Sequence, residues 1–308
     1  VNSMNVYAKS EFIGLWVNSK NEPVIEFIQG FSPNMGVGFK YEKGVVDDVS
    51  KWTLEGNKIK YSWYEYEFTG GKIKYSGETL NKSKKSRKIT KTIHLKEQTN
   101  KFIDEVTSYY WRNPTETEEF RFLKGFSNET GIYNKIKIKT KDSSLGSWSI
   151  AKDVFNLDRT IYMNGIITDT YMIFIENDDD ITTLLRGEKT KVLEKVELKE
   201  LKDKFVTKLT SGEWMTNNYG SKSIYKYRPY FGDLSGVKFR YYNGKYTQST
   251  NWEYSLKTGS LKDMYTYVNA QIQGKFLLLL KEDGTVDSYE RTSGEITTNN
   301  FANIKLMK

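Results

Sequence analysis

The chain has 308 residues, with 47 Lys and Arg against 39 Asp and Glu for a net charge of +8, and its rings number 22 Tyr, 16 Phe and 7 Trp. So many aromatics exclude an intrinsically unfolded chain, because disordered segments lack the apolar surface that offsets chain entropy, and the length allows two or three domains. Zero Cys and a single His exclude disulfide frameworks, thiolate nucleophiles, thiolate metal sites and every mechanism that needs two imidazoles.

The opening Val1-Asn2-Ser3-Met4 has neither the basic start nor the apolar stretch of a signal peptide. It reads either as non-native residues before Met4 or as the start of a mature exported chain. Downstream, Lys58-Ile59-Lys60-Tyr61-Ser62-Trp63 and Ile132–Lys139 alternate apolar and polar residues, the pattern of strands with one buried and one wet face. Turn chemistry punctuates such runs at Glu55-Gly56-Asn57, Thr69-Gly70-Gly71, Asn177-Asp178-Asp179-Asp180 and Glu282-Asp283-Gly284. Ser108-Tyr109-Tyr110-Trp111 turns at Asn113-Pro114 and returns through Phe120–Leu123; Tyr171–Ile175 and Phe276–Leu280 open two more hairpins. The last of these is the longest apolar run, far short of the ~20 residues of a membrane-spanning helix. Between Glu188 and Leu209, two patterns compete. Leu198, Leu201, Phe205 and Leu209 sit at helical spacing, while Val192, Val196 and Leu198 alternate as in a strand. The expected class is therefore all-β, with two or three related small antiparallel barrel or sandwich units and at most one short helix.

An internal repeat supports that class. Gly36, Val37, Phe39, Lys40, Tyr41, Gly44 and Trp52 recur 200 positions later as Gly236, Val237, Phe239, Arg240, Tyr241, Gly244 and Trp252, the mark of duplicated units. A Gly-x-Trp element occurs at Gly14-Leu15-Trp16, Gly146-Ser147-Trp148 and Gly212-Glu213-Trp214. Taken as unit starts, these place units at 1–130, 131–209 and 210–308, with the middle one shortened. Phe12-Ile13-Gly14-Leu15-Trp16 resembles the opening strand of lipocalins and the wider calycins, and Lys281-Glu282-Asp283-Gly284-Thr285 is similar to a segment of compact lipocalin-like domains of exported bacterial proteins. The resemblance implies small closed barrels, an exported (periplasmic or cell-surface) chain and a binding role; a cytoplasmic location stays open.

Five Trp (Trp16, Trp52, Trp148, Trp214, Trp252) fall at repeat-equivalent positions and are expected as core plugs. Trp63 and Trp111, outside that set, with Tyr61, Tyr64, Tyr66 and Tyr109 around them, are expected to line a cavity for an apolar small molecule or a glycan, because amphipathic rings suit both. Tyr225, Tyr227 and Tyr241 would do the same in the last unit. Lys82, Lys84, Lys85, Arg87 and Lys88 form the one dense basic cluster, a polyanion site or, by default, a solvated hairpin tip. Asn177–Asp180 reads as a turn rather than a Ca²⁺ loop, since no spaced ligand series with a closing Glu follows, and His94 as a strand residue. No phosphate loop or dinucleotide fingerprint is present, no local motif picks a glycosidase carboxylate pair, and no metal or cofactor is expected. The diffuse positive excess argues against nucleic acid. The expected function is a non-enzymatic binding protein with an aromatic-lined barrel; the alternative is a structural or protein-interaction module built from repeated β-domains.

Overall fold

A computed structural model describes residues 11–86, 89–176, 180–218, 221–230, 232 and 234–292. The chain divides into two compact units, one ending at Lys191 and one beginning at Val192. The first holds two eight-stranded antiparallel barrels and the second holds one.

Barrel 1 is a closed meander of β1 (Gly14–Val17), β2 (Pro23–Ser32), β3 (Met35–Glu42), β4 (Val45–Glu55), β5 (Lys58–Tyr61), β6 (Tyr64–Thr69), β7 (Lys72–Tyr75) and β8 (Glu78–Lys82), sealed where β8 pairs back onto β1. Barrel 2 begins with a leader, β9 (Thr92–His94) and helix α1 (Thr99–Ser108). Its meander is β10 (Tyr109–Arg112), β11 (Glu118–Lys124), β12 (Thr130–Lys137), β13 (Ser143–Ala151), β14 (Val154–Leu157), β15 (Thr160–Thr168), β16 (Tyr171–Glu176) and β17 (Ile181–Lys189), closed by β10 on β17. β9 adds to the outside edge of β15. Barrel 3 repeats that plan. Its leader is β18 (Lys195–Glu197), which pairs with β24, and helix α2 (Lys202–Thr210). Then follow β19 (Glu213–Asn218), β20 (Ser221–Pro229), β21 (Ser235–Tyr242), β22 (Lys245–Ser255), β23 (Ser260–Lys262), β24 (Thr266–Gln273), β25 (Phe276–Lys281) and β26 (Val286–Arg291), with β19 closing on β26. Closed up-and-down barrels leave few free strand edges, and their form is consistent with the lipocalin-like expectation.

One sequence device recurs in all three barrels. Gly36, Gly131 and Gly236 on the third strands lie directly opposite Trp52, Trp148 and Trp252 on the fourth. Each indole Nε1 then donates across the sheet to a second-strand carbonyl, at Ile28 (2.8 Å), Leu123 (3.0 Å) and Arg228 (3.2 Å). A Cβ on these glycines would stand 2.1, 1.9 and 1.8 Å from those same carbonyl oxygens, so only Gly lets the chains approach and the ring close over them. A second Trp plugs each opening strand. Trp16 donates to the Phe12 carbonyl (2.6 Å), Trp111 to Val106 (2.9 Å) and Trp214 to Leu209 (2.9 Å). Val106 and Leu209 lie in the last turns of α1 and α2, where helix carbonyls lack partners of their own.

The unit boundaries expected from sequence are corrected by this pattern. Trp148 belongs with Trp52 and Trp252 on the fourth strand, not with Trp16 and Trp214, so Gly146-Ser147-Trp148 does not open a unit. The middle barrel is complete, and the boundary at 130/131 falls at the start of β12, inside it. The boundary at 209/210 falls inside α2. Of the two competing patterns after Glu188, Val196 falls in β18 and Phe205 and Leu209 in α2, while Val192 is exposed ahead of β18 and Leu198 and Leu201 lie between the two elements. A second helix, α1, is additional to the one expected. Phe102, Ile103 and Val106 bury its one apolar face, and Gln98 at its start makes no side-chain cap, so the usual capping signature is missing.

Interiors are filled by the chain's own rings. In barrel 1, Phe12, Trp16, Phe27, Trp52, Tyr61 and Tyr66 are fully buried, and Phe12 meets the Trp52 ring edge-on at 5.0 Å between centroids. In barrel 2, Phe155 stacks on Phe174 at 4.7 Å while Phe102 of α1 closes the end beside Phe174. Barrel 3 buries Trp214, Tyr227, Trp252 and Tyr267 completely or nearly so. Burying such rings contributes roughly 2–3 kcal/mol each, with edge-to-face pairs adding about 1 kcal/mol.

Within the first unit, barrels 1 and 2 share a further cluster on their outer faces. Ile28, Val37 and Phe39 of β2 and β3 pack with Tyr171 and Ile173 of β16, all at most 2% exposed. Phe31, Tyr41, Val46, Val49, Ile181 and Leu185 border it.

Candidate functional site

Alternation fixes which residues of each third strand enter the barrel. Counting on from the recurring third-strand glycine, the next inward residues are Gly38 and Lys40 in barrel 1, Tyr133 and Lys135 in barrel 2, and Lys238 and Arg240 in barrel 3. The mouth of every barrel thus carries a basic side chain. In barrel 1, Lys40 donates to the Tyr64 hydroxyl at 3.1 Å, and that hydrogen bond, ahead of the opposing effect of burial, raises its pKa. Gly38 leaves room for the Tyr61 ring, which a Cβ would meet at 2.5 Å. In barrel 2, Lys135 faces Glu118 at 3.4 Å and Tyr133 donates to Asp158.

Barrel 3 differs, because two cations enter where barrel 1 has a glycine and one lysine. Lys238 pairs with the fully buried Asp263 carboxylate at 2.6 Å and lies 4.8 Å from the Tyr225 ring centroid. Tyr227 donates to Asp263 (3.3 Å) and Tyr267 to Asp287 (2.9 Å). Burial, followed by nearby carboxylates and tyrosines, pushes the Tyr227 and Tyr267 phenols well above their usual range, so they serve as neutral donors. Above them lies a cleft of about 160 Å³ lined by Tyr225, Lys238, Arg240, Gln248, Thr250, Met264, Tyr265, Tyr267 and Tyr289. Arg240 Nη2 reaches Ser223 Oγ at 3.3 Å, while its buried Nε has no hydrogen-bond partner. Lys281 stands 4.4 Å over the Tyr265 ring at the rim.

A larger depression lies on the outside of barrel 3. It measures about 430 Å³ and is lined by Tyr230, Ser235, Gly236, Val237, Asn251, Trp252, Glu253, Lys262 and Asp263. Val237 and Phe239 point outward beside it and are half-buried.

The expected ligand residues scatter across these environments. Trp63 stands at the β5–β6 turn, 96% exposed, and is not in a cavity. Trp111 is a plug equivalent to Trp16 and Trp214; it is fully buried and bonded to α1, so its place outside the repeat set is corrected. Tyr61 and Tyr66 are fully buried filling, Tyr61 donating to Asp48 at 2.9 Å. Tyr64 sits half-buried at the mouth with Lys40. Tyr109 packs on the Arg186 guanidinium at 4.1 Å, and Arg186 in turn pairs with Glu105 at 2.7 Å. Tyr225 and Tyr227 do converge in barrel 3. Tyr241 points the other way, its ring 5.5 Å from Lys226 Nζ on the outer face.

In the basic run, Lys82 ends β8 and donates to the Glu11 carbonyl at 2.5 Å; Lys84 and Lys85 are exposed in the connection leading to β9, not at a hairpin tip. Arg87 and Lys88 lie outside the described residues, as do Asn177, Asp178 and Asp179 of the acidic turn. His94 ends β9 opposite Ile166, in the strand expected for it. Among the described residues, no three His, Asp or Glu side chains form a metal-holding group, and no helix is long and apolar enough to cross a membrane.

Sequence reasoning missed Lys238, Arg240, Asp263 and Tyr289. The signal was present: Lys238 and Arg240 share an inward face two and four residues past Gly236, whereas attention to rings alone overlooked the cations between them. No protein-family model and no curated protein matches the chain.

Proposed function

We propose that the chain works as a protein-interaction module whose barrels are scaffolds and whose outer faces make the contacts. The filled interiors carry this reading. Ligand-holding pockets usually reach ~300–1,000 Å³, and the cleft inside barrel 3 is about 160 Å³, smaller than the 430 Å³ depression on its outside. The cluster joining barrels 1 and 2 is a worked case of an outer face used for docking. Repeated barrels with aromatic clusters fit a binding or interaction module in general terms; the interiors favour the interaction side of that pair.

A specific observation favours a second reading. The unpartnered Arg240 Nε beside Lys238 and a ring of tyrosines suits a small carboxylate or acidic sugar, and disfavours the apolar ligand expected from the aromatic count. Thermal unfolding of the full chain with retinol, oleate, glucose or glucuronate separates the readings. The module reading predicts no saturable rise in Tm with any of them. A saturable rise with glucuronate that Arg240→Ala abolishes would establish the second reading, and one with retinol or oleate would contradict both.

A further inference from the structure

The repeated segment Gly36–Tyr41 and its copy Gly236–Tyr241 have different fates. In barrel 1, Val37 and Phe39 are fully buried because β16 of barrel 2 lays Tyr171 and Ile173 across them. In barrel 3 the matching Val237 and Phe239 point outward on β21 and are only half-buried. The 430 Å³ groove opens beside Val237, where barrel 1 is filled by the docked hairpin. Same residues, same register and same face make one surface that is closed in one copy and grooved in the other.

We infer that the β20–β22 face of barrel 3 is a docking surface for the hairpin of a further barrel of this repeat type, one that presents an aromatic-x-aliphatic row in the manner of Tyr171 and Ile173. Barrel 3 also shows what that row must match. Arg228 replaces Ile28 of the docked cluster and is exposed, so this edge of the face favours a hairpin carrying carboxylates beside its apolar row. A second copy of this chain is not the intended occupant. Its own Tyr171 and Ile173 are already engaged by barrel 1, Phe276 and Leu278, the matching outward row on β25, are fully buried, and the equivalent strand of barrel 1, β7, turns Lys72 and Lys74 outward, both exposed.

This deepens the interaction-module reading and rests on it. The probe is a cyclised peptide spanning residues 168–187 of this chain, titrated into the full-length protein with hydrogen exchange read by mass spectrometry. The expected result is saturable one-to-one binding with protection gained in 235–242 and 245–255. Binding should weaken at least about tenfold, or about 1.4 kcal/mol, in Val237→Glu and in Asn251→Glu, the second being an exposed rim change that leaves the core intact. A probe carrying Tyr171→Ser and Ile173→Ser should not bind. Absence of saturation by about 1 mM, binding unchanged by Asn251→Glu, or dimerisation of the protein alone through this face would each overturn the inference. None of those results touches the ligand titration that tests the module reading itself, so the two fail separately.

Discussion

At the level of single residues, the two tryptophan classes in this chain are separated by their surroundings and not by their neighbours in sequence. Trp63 and Trp111 both sit among tyrosines, which is why sequence placed them together. Structure divides them completely. Trp111 fills the first-strand position of barrel 2 and caps α1, whereas Trp63 is 96% exposed. Trp111→Ala should therefore cost about 3–5 kcal/mol, read as a lowered urea midpoint of the first unit's transition, and Trp63→Ala should stay within about 0.5 kcal/mol of the wild type. The signal that would have sorted them lies in a second spacing. Ile93, Leu95, Phe102, Val106 and Trp111 are matched 103 positions later by Val196, Leu198, Phe205, Leu209 and Trp214, and every member of both sets is buried. Identity between the two sets is confined to one Leu, one Phe and one Trp pair spread over some twenty residues, so it is fainter than the 200-residue register.

At the level of elements, strands were legible, α2 only as one of two competing patterns, and α1 not at all. Alternation and Gly-rich turns gave the hairpins, since a half-buried strand must show a period of two. Neither helix begins with a capping side chain, and each buries only three residues, which leaves little pattern to read. Beside its buried apolar face, an ion-pair network ties α1 to its barrel. Glu105 accepts from Lys91 and from Arg186 at 2.7 Å, and Arg186 is sandwiched against Tyr109 and Trp111. Burial alone would raise the Glu105 pKa; the hydrogen bonds and charges of Lys91 and Arg186 outweigh it and hold the carboxyl below its ordinary 4.5. A depressed carboxylate stabilises the fold above its unfolded pKa and loses that contribution as pH falls through the folded value. Glu105→Gln should accordingly destabilise the first unit by about 2 kcal/mol at pH 7. The gap between wild type and variant should hold down to about pH 4.5 and shrink below it; denaturant titrations at pH 7, 5 and 3 would show this, and a gap constant down to pH 3 would sink the assignment.

At the level of the whole molecule, repetition explains both what sequence revealed and what it concealed. Barrels 1 and 3 share a register that announces duplication, while barrel 2 lacks the Gly-Val-x-Phe segment and carries Gly131-Ile132-Tyr133-Asn134 instead, so its strand plan was masked and its length underestimated. The candidate site was less legible than the fold. Rings are needed in numbers simply to fill three barrels, and a count of aromatics cannot tell filling from lining. Only closure of the sheets shows that most of them face their own core.

The claim on which the account stands is that three closed, filled barrels each hold two buried indoles. Seven Trp make this directly measurable, because six donate Nε1–H to a backbone carbonyl inside a barrel and one, Trp63, stands in solvent. Transfer of ¹⁵N-tryptophan-labelled protein into D₂O, followed by two-dimensional NMR of the indole region, should erase one cross-peak at once and leave six persisting. Loss of a Trp16, Trp111 or Trp214 signal together with its Trp52, Trp148 or Trp252 counterpart in the first spectrum would show that a barrel is open to water and would contradict the account.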